Sequence, residues 1–521
     1  MSSPISRQTL GDLLRRSRQR YPNKLAIRCG STDWSYAQFD DVSNAFARGL
    51  AAQGVEVGDR VAIISRNSHA FAALRFAVAR LGAVLVPINF MLSAEEANYV
   101  LQHSGATVLC VDSGHADMGR EAAKGTKVAT FIWMPSEAPT EPVAGMLTFD
   151  ALCQPGPAPE RELDGRLPAQ LIYTSGTESR PKGASLSHEA VIAEYVTSLV
   201  DTEIAAGDTL LHALPLYHCA QLDCFLGPAV YAGASNVITG APTADNILKL
   251  AAANRVSSFF APPTVWIALL RSPDFDRTDL SQLRKGYYGA SIMPVAVLKE
   301  IQQRLPAVRL WNLYGQTEMA PIATVLKPED QLRKAGSAGR PAINVETRVV
   351  DDDMNDVQPG EVGEIVHRSP QLLSCYYDDP EKTAAAFAGG WFHSGDLGVL
   401  DDEGYLTVVD RKKDMIKTGG ENVPSIKVEA TLLLHPAVAN VAAVGLPHPR
   451  WIEAVTAFVV LKPGAQADEA ELINHCKEHL GGFEVPKAIR IVDALPMTST
   501  GKIQKHPLRD SYRALYEDIE R

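Results

Sequence analysis

Residues 60–112 read RVAIISRNSHAFAALRFAVARLGAVLVPINFMLSAEEANYVLQHSGATVLCVD. Three short runs within it, 60–65 (RVAIIS), 83–88 (AVLVPI) and 107–112 (TVLCVD), are dense in β-branched and aliphatic residues and predict buried strands. Between the first two, residues 69–81 carry apolar residues at helical period, and Ser93 followed by Glu96 is a capping box opening a second helix. Strands separated by helices imply βαβ units, a parallel sheet and helices on its faces.

Outward from this stretch, the N-terminal residues Leu10, Leu13 and Leu14 fit a short amphipathic helix docked on the body. Residues 135–168, rich in Pro, Glu and Gly, read as a surface excursion, after which the α/β pattern runs on to about residue 400. The polar stretch 410–414 is the candidate boundary between a large unit, 1–410, and a small α+β unit, 411–521. Within the small unit, 425–434, 438–445, 454–461 and 468–480 read as alternating elements. A chain of 521 residues exceeds what one hydrophobic core usually serves, which agrees with two units.

Composition excludes several classes. Apolar residues at 46% and charged residues at 21% describe a globular chain rather than a disordered one. A formal net charge of −11 disfavours a nucleic-acid partner, because phosphate backbones need clustered cations. No stretch reaches the roughly 18 consecutive apolar residues of a membrane span, and the N-terminus lacks the apolar core of a secretory signal. The seven dispersed cysteines contain no C-x-x-C pair and suit reduced thiols, so the expected compartment is the cytoplasm.

The segment with most chemistry is 173–183, YTSGTESRPKG, directly after the apolar LIY. Thr174, Ser175, Gly176 and Thr177 offer hydroxyls and close backbone approach, and Lys182 offers charge, the needs of a phosphate cradle. A Walker A loop is excluded: counting from Gly176, Pro181 stands at the second glycine and Gly183 at the Ser/Thr. The bland alternative is a surface turn.

The wording of this loop resembles the ANL adenylating superfamily (acyl-CoA ligases, peptide-synthetase adenylation domains and beetle luciferases), whose pattern is Y-T-S-G-T-T-G-x-P-K-G; Glu178 and Ser179 depart from it. Further matches follow in the family's order: 312–318 (NLYGQTE), 391–398 (WFHSGDLG), 410–422 (DRKKDMIKTGGEN) and 496–502 (PMTSTGK). The resemblance spans about residues 10–510 and is nearest in wording to bacterial fatty-acyl-CoA ligases.

The resemblance implies an α/β fold, with a large N-terminal adenylating domain of parallel-type sheets and helices and a small mobile α+β C-terminal domain. It implies activation of a carboxylic acid by ATP, with Mg²⁺, and transfer of the acyl group to the thiol of CoA. Thr317 would then hydrogen-bond the α-phosphate and Glu318 would hold the metal, while Asp396 would accept from the ribose hydroxyls with Arg411 assisting. Asn312, Tyr314 and Gly315 belong to the same nucleotide motif, and Gly289, Ala290 and Ser291 (in YYGAS) to the stretch against adenine and the acyl carbonyl. Lys502 would bridge the acid oxygen and the α-phosphate in the first half-reaction. Since Lys502 lies in the small unit, catalysis requires domain rotation, with Lys413 as pivot, after which Gly419, Gly420 and Glu421 shape the CoA channel.

The acyl pocket is less legible. Residues 214–227 (LPLYHCAQLDCFLG) are mostly apolar, and His218 matches the gate before the acyl tunnel of fatty-acid members. This favours a medium- or long-chain fatty acid; an aryl acid is the alternative, since 259–266 and Tyr287–Tyr288 offer an aromatic slot. A carrier-protein thiol or another nucleophile is the alternative acceptor.

Two rival motifs are weaker. S-x-x-K at 179–182 and K-T-G at 417–419 fit an acyl-serine enzyme, but the intermediate Ser-x-Asn is missing, the nearest being Ala-Asp-Asn at 244–246. H-x-x-E-H at 475–479 reads better as a solvated helix face than as a zinc protease.

Overall fold

A computed structural model describes residues 8–156, 159, 161–174, 180–497 and 503–517. Among these residues the strands sort into four sheets. The stretch that opened the sequence analysis forms the centre of an eight-stranded one. Strands Arg60–Ile64, Val84–Pro87 and Val108–Val111 pair in parallel, joined by helices His69–Leu81 and Ala94–Ser104. The Ser93 hydroxyl accepts from the Glu96 N–H and the Glu96 carboxylate accepts from the Ser93 N–H, the expected capping box. The sheet then turns antiparallel: Pro168–Thr174 pairs with Lys182–Ser187, which pairs with the short strand Cys375–Tyr376.

A nine-stranded sheet packs beside it, with a parallel centre that includes Thr209–His212, Ser258–Phe260, Lys285–Gly289 and Arg309–Gly315. Helix Leu10–Arg20 docks as expected. Leu10, Leu13 and Leu14 are fully buried, each worth about 2 kcal/mol of apolar transfer. Ser17 Oγ donates to the Val230 carbonyl at 2.7 Å.

One expectation needs correction. The α/β pattern does not continue to residue 400. Strands Glu346–Val350, Gly363–Arg368, Phe392–Leu400 and Leu406–Arg411 form a separate antiparallel sheet. The turn at Asp401–Tyr405 is too short for the crossover that parallel pairing demands, so the last two of these strands run antiparallel. Along Phe392–Leu400 buried and half-exposed positions alternate as far as Val399, but the buried ones are Phe392, Ser394, Asp396 and Gly398, so hydropathy carries no period-two signal there.

The last sheet pairs Ile416–Thr418 with Glu421–Val423 and with Ile452–Leu461, which also pairs with Val438–His448 and Ala488–Ile491. Helices Ser425–Leu433 and Glu469–His479 pack on it around buried Val428, Leu432, Leu472 and Cys476, an α+β unit as expected. No helix among the described residues is long and apolar enough to cross a membrane, and all seven cysteines are free thiols.

Candidate active site

The glycine- and hydroxyl-rich loop joins two antiparallel strands, with Thr174 paired to Lys182 across its base. It therefore connects two adjacent antiparallel strands, unlike the strand-to-helix turn of a Walker motif. Ser175, Gly176, Thr177 and the departures Glu178 and Ser179 lie outside the described residues, as does Lys502.

Strand pairing carries Lys182 to its neighbours. Cys375–Tyr376 adds to the Lys182–Ser187 strand, which sets the Tyr376 ring 5.2 Å from Lys182 Nζ. The Tyr376 hydroxyl donates to Glu318 Oε1 at 2.9 Å, and the Leu373 N–H donates to the Glu318 carbonyl at 2.8 Å. Burial, and next the Glu318 charge, push the Tyr376 phenol above its ordinary range, so it remains a donor. Glu318 sits in a 3₁₀ turn, Thr317–Met319, and is only 8% exposed, unlike a solvated helix-start carboxylate. A cavity of about 300 Å³ opens beside this group, with Tyr99, His103, Arg180, Lys182, Tyr376 and Lys382 in its wall.

A second carboxylate lies at the other end of the same motif. The Tyr314 hydroxyl donates to Asp396 Oδ2 at 2.6 Å, and Arg411 Nε meets Asp396 Oδ1 at 2.8 Å. Asp396 and Arg411 stand directly opposite each other on adjacent antiparallel strands, so register delivers the pair. Asp396 is thus a strand residue, not a turn aspartate capping its own backbone. Its N–H donates to Ser394 Oγ at 3.0 Å. Burial, followed by the Asp396 charge, drives the Tyr314 phenol well above its usual range and keeps the proton on it.

Gly315 permits the turn from one carboxylate to the other. A Cβ there would lie 1.7 Å from the Pro321 carbonyl oxygen, so only glycine lets residue 315 pair with Ile322. Asn312 Nδ2 donates to the Ser337 carbonyl at 2.9 Å. Gly289 pairs with Leu313 on the neighbouring strand, and the next two residues, Ala290 and Ser291, are exposed. Ala290 holds φ +66, a left-handed backbone at a non-glycine residue, of the sort that collects at ligand sites.

His218 caps the short helix Cys219–Gln221, its Nδ1 accepting from the Ala220 N–H at 3.1 Å. The next side chain, Cys219, lies 3.3 Å (Sγ to Oγ1) from Thr317. Burial pushes the Cys219 thiol up to about 12, which rules it out as a nucleophile near neutral pH. The 214–227 segment and Thr317 are therefore in contact, a link that pattern reading missed. Tyr376 was missed too, because only tertiary pairing brings it to Glu318.

Beyond Arg411, Asp410 Oδ2 accepts from the Ser425 N–H (2.5 Å) and hydroxyl (2.7 Å), and Arg509 binds Asp414 at 2.7 Å and the Lys413 carbonyl at 3.4 Å. Gly419 and Gly420, at φ +60 and +91, form the two-residue turn between Ile416–Thr418 and Glu421–Val423, and Glu421 is exposed.

A family model described as AMP-binding enzyme matches residues 14–377, and one described as AMP-binding enzyme C-terminal domain matches residues 427–502. The chain belongs to the AMP-binding enzyme family. It is an adenylate-forming enzyme of the superfamily its motifs resemble. It is 36% identical to indoleacetate–CoA ligase of Aromatoleum aromaticum over 94% of this chain and 95% of that one. Long-chain-fatty-acid–CoA ligase FadD13 of Mycobacterium tuberculosis is 34% identical over 97% of this chain and 99% of its own length. ATP-bound MatB of Rhodopseudomonas palustris superposes with a TM-score of 0.86 at 29% identity, covering 98% of this chain and all of that chain. The mixed α/β N-terminal unit and the small C-terminal unit match the fold of that solved relative.

Proposed function

We propose that the chain joins a carboxylic acid to the thiol of CoA in two half-reactions at one nucleotide site. The observation that carries this reading is that one short segment, residues 314–318, supplies Glu318 at one end and at the other the Tyr314 hydroxyl that binds Asp396 of a different strand. Tyr314 seats Asp396, which suits a ribose diol, and Glu318 faces the Lys182 end, which suits a polyphosphate. In the first half-reaction the acid oxygen attacks the α-phosphorus of ATP and the bond to the β-phosphate breaks, so pyrophosphate leaves with the electron pair. In the second, the CoA sulfur attacks the acyl carbon, AMP departs, and the thiol proton is released.

The donor set fits magnesium. A single oriented carboxylate at Glu318, with phosphate oxygens and water completing the shell, is the usual site of this hard cation, which would spread the polyphosphate charge. Thr317 and Lys182 donate to phosphate oxygens, Lys182 towards the cavity that receives pyrophosphate. The units 1–410 and 411–521 alternate about Lys413, and the clasp of Arg509 on Lys413 and Asp414 ties the C-terminal helix to that pivot.

For the acid, packing supports the aryl alternative over the medium- or long-chain one. Behind Cys219, the ring of Phe225 stacks on Phe260 at 4.5 Å and lies 5.1 Å from Tyr287, which is 5.2 Å from Trp311. These buried rings pack with Cys219 in one apolar cluster and leave an aryl group, rather than a long chain, as the better fit beside it. The likeness to FadD13 favours the fatty-acid reading. An acid panel separates them. With CoA and ATP, kcat/KM is expected to be higher for arylacetic and cinnamic acids than for C12–C16 fatty acids; the opposite order returns the reading to fatty acids. AMP release without any CoA thioester would instead favour another acceptor.

Gly420 tests the CoA channel. Gly420→Leu is expected to leave ATP–pyrophosphate exchange near the parent value and to lower thioester formation at least roughly tenfold, while left-handed strain costs about 1–2 kcal/mol locally. Gly464→Leu, at φ +77 with the same open surroundings, controls for that strain. Equal thioester yield from parent and Gly420→Leu would remove residue 420 from the channel.

A further inference from the structure

On helix Glu469–His479, half-buried His475 and exposed His479 stand one turn apart, and exposed Glu478 lies beside them. One ligand atom from each of the three comes within 4.8 Å of the others. The opposite face of the helix is spent on the core, where Leu472 and Cys476 are fully buried. We infer that His475, Glu478 and His479 form a binding site for a divalent transition metal of the zinc, nickel or copper class.

The hydrogen bonds around the two rings argue for this beyond proximity. His475 Nε2 meets the Thr431 carbonyl at 3.0 Å, and His479 Nδ1 meets the His475 carbonyl at 2.9 Å. A carbonyl only accepts, so these nitrogens carry protons. Nδ1 of His475 and Nε2 of His479 then hold the lone pairs of the neutral rings. Metal-bound histidines characteristically donate their second nitrogen to a carbonyl or carboxylate, which fixes tautomer and ring orientation. Both rings have that arrangement here. The His475 ring is steadied further by His435, edge-on at a centroid distance of 5.1 Å, whose Nε2 lies 3.3 Å from the Glu471 carboxylate.

Two imidazoles with one carboxylate is a borderline-soft donor set that suits zinc and its neighbours and suits magnesium poorly. All three ligands come from one helix, so the remaining coordination positions belong to water and the ion exchanges with solvent. Binding would brace helix Glu469–His479, and through the His475–Thr431 bond the helix Ser425–Leu433 against it. The site stands independently of the ligase reading.

The test uses the full-length chain without any histidine tag, stripped by dialysis against a chelator and titrated with Zn²⁺ in competition with a chromophoric chelator. The parent is expected to bind one equivalent saturably. H475A/H479A should bind at least roughly tenfold more weakly, the lower end of what lost metal-site partners cost. E478Q should bind measurably more weakly than the parent. ATP–pyrophosphate exchange with Mg²⁺ present and no transition metal added, unchanged in all variants, reports intact folding; should the double variant misfold, H479A alone, an exposed side chain, carries the comparison. No saturable binding by the parent, or the same affinity in parent and H479A, overturns the site. Weakening by H479A with none by E478Q overturns the assignment of Glu478.

Discussion

Lys502→Ala is expected to lower acid-dependent ATP–pyrophosphate exchange by about 10²–10³-fold, the scale of losing a positioned electrostatic group from a transition state. Thioester formation from supplied acyl-adenylate is expected to stay within a few-fold of the parent. The asymmetry follows from the charge balance of the two steps. A carboxylate attacking a phosphate brings two anions together, and a lysine between their oxygens offsets that repulsion; thiol attack on the acyl-adenylate has no such collision. The anchoring of the region supports a lysine delivered as part of a body. Lys505, three residues on, donates to Ser425 Oγ at 2.6 Å and pairs with Glu429 at 2.7 Å. Ser425 in turn donates to Asp410, next to Arg411. Measuring both half-reactions on one preparation decides the matter, and an equal fall in both would remove Lys502 from the first step and alternation with it.

Glu318→Gln is the second large effect, a fall on the order of 10²-fold in kcat/KM for ATP. The amide is isosteric and still accepts from the Tyr376 hydroxyl, so the loss reports charge at the metal rather than packing. Tyr376→Phe provides the contrast: the carboxylate stays, its orientation loosens, and a smaller loss of roughly tenfold is expected. A magnesium titration separates the two variants. The requirement for Mg²⁺ should rise steeply in Glu318→Gln and little in Tyr376→Phe. An unchanged magnesium dependence in Glu318→Gln would take the metal away from this residue.

The two arrays were not equally visible beforehand. Ser93 and Glu96 announced a helix start because a capping box acts within one turn, and the alternation of strand and helix over 60–112 forced parallel pairing. Asp396 and Glu318 were visible only through motif wording, since an isolated Gly-Asp or Thr-Glu pair is ordinary. The antiparallel sheet of 346–411 was missed because its longest strand buries Ser394, Asp396 and Gly398, so no apolar period-two pattern marks it. The aromatic stack behind Cys219 was present as separate Phe and Tyr residues with nothing in their spacing to join them.

Whatever depends on neighbours along the chain could be read without coordinates: helix starts, strand runs, the hydroxyl-rich loop, the order of the motifs, and with them the family and its chemistry. Whatever depends on partners far apart in sequence needed the fold. Tyr376 reaches Glu318 through a two-residue strand added to a sheet edge, Arg411 reaches Asp396 through cross-strand register, and Phe225 reaches Phe260 through helix-on-sheet packing. Local propensity acts over a few residues, whereas side-chain contact is set by the burial of whole faces. The order of the motifs is therefore written along the chain, and the contacts that orient Glu318 and Asp396 are written across it.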